Sequence, residues 1–397
     1  MVRGPRICDP GHVRWLALCC LGACQFATHP VSGDAPPGPT GDAPLSSDGA
    51  KDAPSPGAGF VRLIDLDDTR ITGGPHADFP LFISISASWL RDASHGGDVA
   101  RTDGFDIYFS ADPAGATRLA HEVEVYAADS GTLTAWVKIP SLVPQSVLYL
   151  HYGDPAITTS QQSVAQVWSG GYAFVAHLET TGDATGASTS FSSSNVAGAA
   201  GKNDRAMTFD GSSSVIDAGS VTAIDDVFAA GGTAEGWFYA NSYGEAAYGR
   251  LLDKGQENGW GLYVSDVSGF GSQSLAFRHG GSGGSIGSWF TSDGTVSLGA
   301  WHHAAVVYNQ SAAGNAPLVY IDGVAMTTRQ VDFPTGPMDS DAAANLTLGN
   351  RAGLDRTFDG VLDELRLSSV ARGADYLATQ YRNQNDPTAF YTINAPL

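Results

Sequence analysis

Near its C-terminal end the chain reads Leu346-Thr347-Leu348-Gly349-Asn350, and then Phe358-Asp359-Gly360-Val361-Leu362-Asp363-Glu364-Leu365-Arg366-Leu367. In the second stretch Val361, Asp363, Leu365 and Leu367 share one parity, and Leu362, Glu364 and Arg366 share the other. Alternation of this kind is the pattern of a β-strand, and the Asp-Gly before it suits a tight turn. Strict alternation places Asp363 on the same face as three apolar side chains. A carboxylate aimed at a core needs a set of hydrogen bonds or a metal ion.

The rest of the chain has the composition of a turn-rich β protein. Charged residues make up only 16% of its 397 residues, and glycine occurs 49 times. That length corresponds to two or three domains, each able to bury a core. The formal net charge of -20 repels phosphate backbones and argues against nucleic acid as a partner.

All four cysteines (Cys8, Cys19, Cys20 and Cys24) lie in the first 24 residues. The remainder must therefore fold without disulfides or cysteine metal sites. Arg3, Arg6 and Arg14 accompany an apolar run over residues 15–23 that is too short to span a bilayer, the pattern of an export signal at 1–23. Leu21-Gly22-Ala23-Cys24 resembles a bacterial lipobox. The resemblance implies lipidation of Cys24 and anchoring at the outer membrane or cell surface, with an ordinary signal peptide as the other reading. Residues 24–58 repeat Asp-Ala-Pro three times among Gly, Ser and Ala. They hold too few large apolar side chains to order a backbone, so a disordered tether is expected.

From 59 to about 165, short apolar runs recur between turn residues, which predicts a small β-sandwich. Asp103-Gly104-Phe105-Asp106, His121-Glu122-Val123-Glu124, Ala135-Trp136-Val137-Lys138-Ile139-Pro140 and Tyr149-Leu150-His151-Tyr152-Gly153 resemble a bacterial domain of unknown function found in surface and exported proteins. The resemblance implies no role. Glu122 and Glu124, two residues apart, read as a solvated strand face, with acid–base or metal chemistry as the alternative.

Residues 166–397 carry a longer series of landmarks. They include Phe174-Val175-Ala176-His177-Leu178, Gly236-Trp237-Phe238-Tyr239, Trp301-His302-His303-Ala304-Ala305-Val306-Val307-Tyr308, Tyr320-Ile321-Asp322-Gly323 and the closing Asp363-Glu364-Leu365-Arg366. In this order they resemble the laminin-G-like, concanavalin A-like sandwiches, which implies an all-β jelly roll of two antiparallel sheets. The resemblance also implies a structural Ca²⁺ held by Asp363, with Asp210 able to complete the set. The other reading, that Asp363 satisfies backbone amides, stays open.

Glucanases that share the sandwich use a carboxylate trio on one strand, and no such trio appears in this domain, so the chain reads as no enzyme. Binding modules of this fold present aromatics on loops or on a concave face. Trp260, Trp289 and Tyr243 lie beside Gly- or Ser-rich turns and are the candidate stacking platforms. The expected function is non-catalytic binding of a polysaccharide or surface glycan, with the membrane touched only through the lipid anchor. A structural or protein-adhesion role is the alternative, and glycoside hydrolysis a third.

Overall fold

The computed structural model describes residues 59–188, 191–255, 258–336 and 338–397. The signal segment, Cys24 and the tether lie outside the described residues. The fold is all-β, built from four antiparallel sheets, with one helix of appreciable length at Ala374–Asn385.

Two of these sheets make the first module. A rim sheet runs in the order Tyr391–Pro396, Phe60–Leu66, Val147–Tyr152, Tyr108–Ser110. A junction sheet runs His76–Ser86, Thr132–Leu142, His121–Ala127. Ile64, Leu81, Ile83, Ala135, Val137 and Leu150 are buried in the core of this module. Alternation along the junction sheet sends Leu81 and Ile83 inward and leaves Phe82 and Trp136 on the opposite face. One strand departs from the expected domain boundary at 165: Tyr391–Pro396 comes from the far end of the chain and pairs with Phe60–Leu66.

The second module is the expected jelly roll. Its covered sheet runs Val324–Met326, Leu318–Ile321, Trp301–Tyr308, Gly232–Ala240, Asp359–Ser368, Arg205–Asp210, Ala197–Ala200. Tyr172–Ala176 also pairs with Asp359–Ser368, the closing strand. Its open sheet runs Thr328–Asp332, Ser285–Thr291, Gly271–Gly281, Trp260–Val267, Arg250–Lys254, Thr347–Leu348, Val215–Asp217, Ser192–Ser194. Phe238, Phe277, Val306 and Leu365 are buried in the core they share.

The closing strand breaks the alternation its sequence suggests. Opposite it, Glu235 pairs with Arg366 and Trp237 with Asp363, so Glu364 and Leu365 together face the single residue Gly236. This is a β-bulge, and Glu364 takes the left-handed conformation at φ 53°. For a non-glycine residue that conformation costs on the order of 1–3 kcal/mol unless neighbours enforce it. The extra residue resets the phase. Leu362, Leu365 and Leu367 point into the module's core, while Asp363, Glu364 and Arg366 share the opposite face. A Cβ at position 236 would collide with Leu365, which is why glycine stands opposite the bulge.

The first module sits on that opposite face. Phe82 and Trp136 of the junction sheet pack against Trp168, Tyr172 and Val175. Ala305, Val307 and Tyr320 of the covered sheet join the first module's core together with Tyr376 and Leu377 of the helix. The helix also lies along the junction sheet's edge strand, His76–Ser86. Asn383 accepts from the Phe82 N–H at 2.7 Å and donates to the Phe82 carbonyl at 3.0 Å. The Tyr391 hydroxyl accepts from the Ser84 N–H at 2.6 Å and donates to its carbonyl at 2.9 Å. Side chains thus stand where another strand would, and the edge is closed.

Asn383→Ala should leave both buried Phe82 groups unpaired and lower stability by about 2–4 kcal/mol. Urea unfolding of the variant against wild type checks this, and a shift below about 0.5 kcal/mol would deny Asn383 that role.

Candidate functional site

The three aromatic side chains expected to be exposed are core residues. Trp260 and Trp289 point into the sandwich, and Tyr243 is buried beside them. Trp260 Nε1 donates to Asp341 at 2.9 Å, and the Tyr243 hydroxyl donates to the Val296 carbonyl at 2.8 Å. The reason is strand parity. In Trp260-Gly261-Leu262-Tyr263-Val264 the residues Trp260, Leu262 and Val264 face inward, so proximity to a glycine turn says nothing about exposure. That parity, visible in the sequence, identifies the outward residues as well.

The outward residues form a groove on the open sheet. Arg250, Tyr263, Ala276, Phe290 and Arg329 are neighbours in successive strands, and Gly261, Arg278, Ser288 and Asp332 form the next row. Tyr263 and Phe290 make a nearly perpendicular ring pair at 6.2 Å, and Tyr248 meets Tyr263 at 6.0 Å. The Arg250 guanidinium lies 4.0 Å over the Tyr263 ring. These groups floor a hollow of about 270 Å³ whose walls include Tyr248, Phe270, Arg278, Arg351 and Arg356. A second hollow of about 400 Å³, bordered by Asp253 and Ser340, shares Arg351 with the first. Burial pushes the Tyr263 phenol up to about 12. The Arg278 Nε is buried and meets no hydrogen-bond partner among the described residues.

The two aspartates expected to share a metal do not converge. Asp210 pairs with Asp359, four regular residues before Asp363, a separation of about 13 Å along the strand. Its Oδ1 accepts from the N–H groups of Ser212, Ser213 and Ser214, and its Oδ2 from the Ser213 hydroxyl. Asp363 Oδ2 accepts from the Lys202 and Asn203 N–H groups at 2.7 and 2.9 Å. Both carboxylates do the work of backbone capping. They do not fit a joint Ca²⁺ set.

Glu122 and Glu124 are also not a solvated face, because the second module covers their side of the junction sheet. Glu122 accepts from Trp168 Nε1 at 2.7 Å and Glu124 from Trp136 Nε1 at 3.0 Å. His177, at the end of Tyr172–Ala176, places Nδ1 2.8 Å from Glu364 Oε1 and Nε2 3.3 Å from Glu122 Oε2. Arg366 donates to Glu364 at 2.6 Å and lies 4.2 Å over Trp136 and 4.8 Å over Trp168. The sequence marks only the Glu122/Glu124 pair, as an alternative reading; His177, Glu364 and Arg366 join it only because the bulge and the packing of the two modules bring them there.

Comparison with known proteins agrees with the second module's geometry. Residues 210–378 match the family model of the concanavalin A-like lectin/glucanases superfamily. They form a concanavalin A-like domain. No curated protein matches the chain. Among solved structures, the binding domain of Paraclostridial Mosquitocidal Protein 1 aligns with a TM-score of 0.43 at 16% identity, over 53% of this chain and 52% of that one. Domain 4 of AbnA, a GH43 extracellular arabinanase from Geobacillus stearothermophilus solved with arabinotriose, aligns at 0.38 and 18%, over 53% and 98%. The Botulinum Neurotoxin serotype G binding domain gives 0.41 and 13%, over 53% and 50%. The chain spans about half the length of the two toxin domains.

Two outcomes follow for the concanavalin A-like domain. Trp289→Ala should cost about 3–5 kcal/mol of stability, as for other buried aromatics, measured by denaturant unfolding. Asp355, beside the groove's Arg351, is held down to about 2 by hydrogen bonds from that arginine. A carboxylate depressed in the fold stabilises above its unfolded value near 4 and loses that contribution as pH falls toward about 2. Acid unfolding should therefore show wild type and Asp355→Asn converging across that window.

Proposed function

We propose that this chain is a non-catalytic binding protein that takes a glycan chain in the groove of its open sheet. The observation that carries the reading is the asymmetry of the sandwich. The covered sheet's outer face is occupied by the first module, which leaves the open sheet as the free face among the described residues. Sugar rings stack on aromatic side chains, and their hydroxyls take charged or amide partners. Tyr248 and Phe270 supply ring surface on the walls, and Arg278, Ser288 and Asp332 supply polar contacts. Two hollows joined at Arg351 suit an oligomer better than a single sugar.

The groove's carboxylates support binding over hydrolysis. Hydrolysis requires one carboxyl to remain protonated near a second. Asp253 is paired with Arg250 at 3.1 Å and Asp341 with Lys254 at 3.3 Å. The lipobox-like Leu21-Gly22-Ala23-Cys24 and the following tether support presentation of the groove at a bacterial surface through lipidated Cys24.

A screen of neutral and acidic polysaccharides against the full chain tests this reading. Tyr248→Ala and Arg278→Ala should each weaken binding about tenfold, the size of a lost stacking or polar contact, while the unfolding midpoint stays put. A blank screen from folded protein would instead point to adhesion to a protein surface.

A further inference from the structure

We infer that Glu124, His177 and Glu364 form a binding site for a divalent transition-metal ion, Zn²⁺ being the reference case, at the seam between the two modules. Each residue offers one ligand atom, and these atoms lie within 4.8 Å of one another. His177 Nδ1 is 2.8 Å from Glu364 Oε1 and 3.9 Å from Glu124 Oε1. Donors bound at about 2.1 Å around a tetrahedral ion stand roughly 3.4 Å apart, so the observed separations straddle that value. One imidazole nitrogen with two carboxylate oxygens is a donor set that zinc accepts.

The outer contacts point the same way. Each candidate ligand is also held by a second group, although Glu364 Oε2, the oxygen that Arg366 holds, lies 3.0 Å from His177 Nδ1 as well. Trp136 holds Glu124 through Oε2, Arg366 holds Glu364 through Oε2, and Glu122 sits at Nε2 of His177. A carboxylate on the far nitrogen of a histidine orients the ring and frees the near nitrogen for a metal. Glu122 is itself fixed by Trp168.

The independent observation is Glu124 Oε1. Its side chain is only 3% exposed, and this oxygen meets no hydrogen-bond partner among the described residues. Leaving a buried carboxylate oxygen unpaired is costly, and a cation between it and His177 Nδ1 would remove the cost. Access suits an ion and little else. The His177 and Glu122 side chains are 12% and 13% exposed, and Glu364 is fully buried.

The competing arrangement is a metal-free ion-pair cluster with a protonated His177. The two are separated by equilibrium dialysis of the full chain against Zn²⁺, with Glu124→Gln and His177→Gln alongside wild type. Since the N-terminal cysteines can also take zinc, the readout is the difference between proteins. Each variant is expected to bind one equivalent fewer than wild type. Glu124→Gln keeps an acceptor for Trp136, and its fold is checked by circular dichroism. Co²⁺ loading should give wild type visible absorption bands that Glu124→Gln lacks. Equal zinc stoichiometry in wild type and a folded Glu124→Gln, or cobalt spectra that do not differ, would overturn the site.

Discussion

The structure turns on a mismatch of one residue. Glu364 and Leu365 oppose Gly236 alone, and the resulting bulge lets one strand serve two interiors. Before and after it, leucines fill the jelly-roll core. Around it, Asp363, Glu364 and Arg366 lie on the other face, where Asp363 caps the Lys202 and Asn203 amides, Glu364 meets His177, and Arg366 lies over the first module's Trp136. The backbone strain at Glu364 is offset by the bonds its carboxylate makes to His177 and Arg366, which fix it from both sides. Bulges commonly re-aim side chains where a sheet meets a site, and this one does so at an internal interface.

The same interface gives the sandwich two unlike faces. The covered sheet ends in contact with Phe82, Trp136 and the helix Ala374–Asn385, so its outer surface is core. On the open sheet, Arg250 lies in register with Tyr263, and Arg278 with Gly261, across successive strands. In a chain of net charge -20, the groove gathers four arginines, three of them ion-paired: Arg250 with Asp253, and Arg351 and Arg356 with Asp355, so its surface is polar and nearly charge-balanced.

Much of the fold was legible in the sequence, because strand landmarks and Asp-Gly turns are local signals. The all-β class, the laminin-G-like order of strands and the small first sandwich follow from them. What stayed hidden was non-local. A bulge leaves no mark in a period-two pattern, so Asp363 read as core-facing when it lies on the other face. The glycines beside Trp260 and Trp289 suggest exposure, whereas strand parity sends both into the core and Tyr263 and Arg278 to the outer face. Glu122 and Glu124 looked solvated because the surface that covers them belongs to another module, distant in sequence.

The pairing of Tyr391–Pro396 with Phe60–Leu66 also has a consequence in time. Synthesis delivers residues from the N-terminus onward, yet the rim sheet lacks its edge strand, and the junction sheet its Asn383 and Tyr391 plugs, until more than 300 further residues have emerged. Loop closure over such a span is slow compared with local hairpins. Completion of the first module therefore waits for the end of the chain, whatever the order in which its local hairpins form.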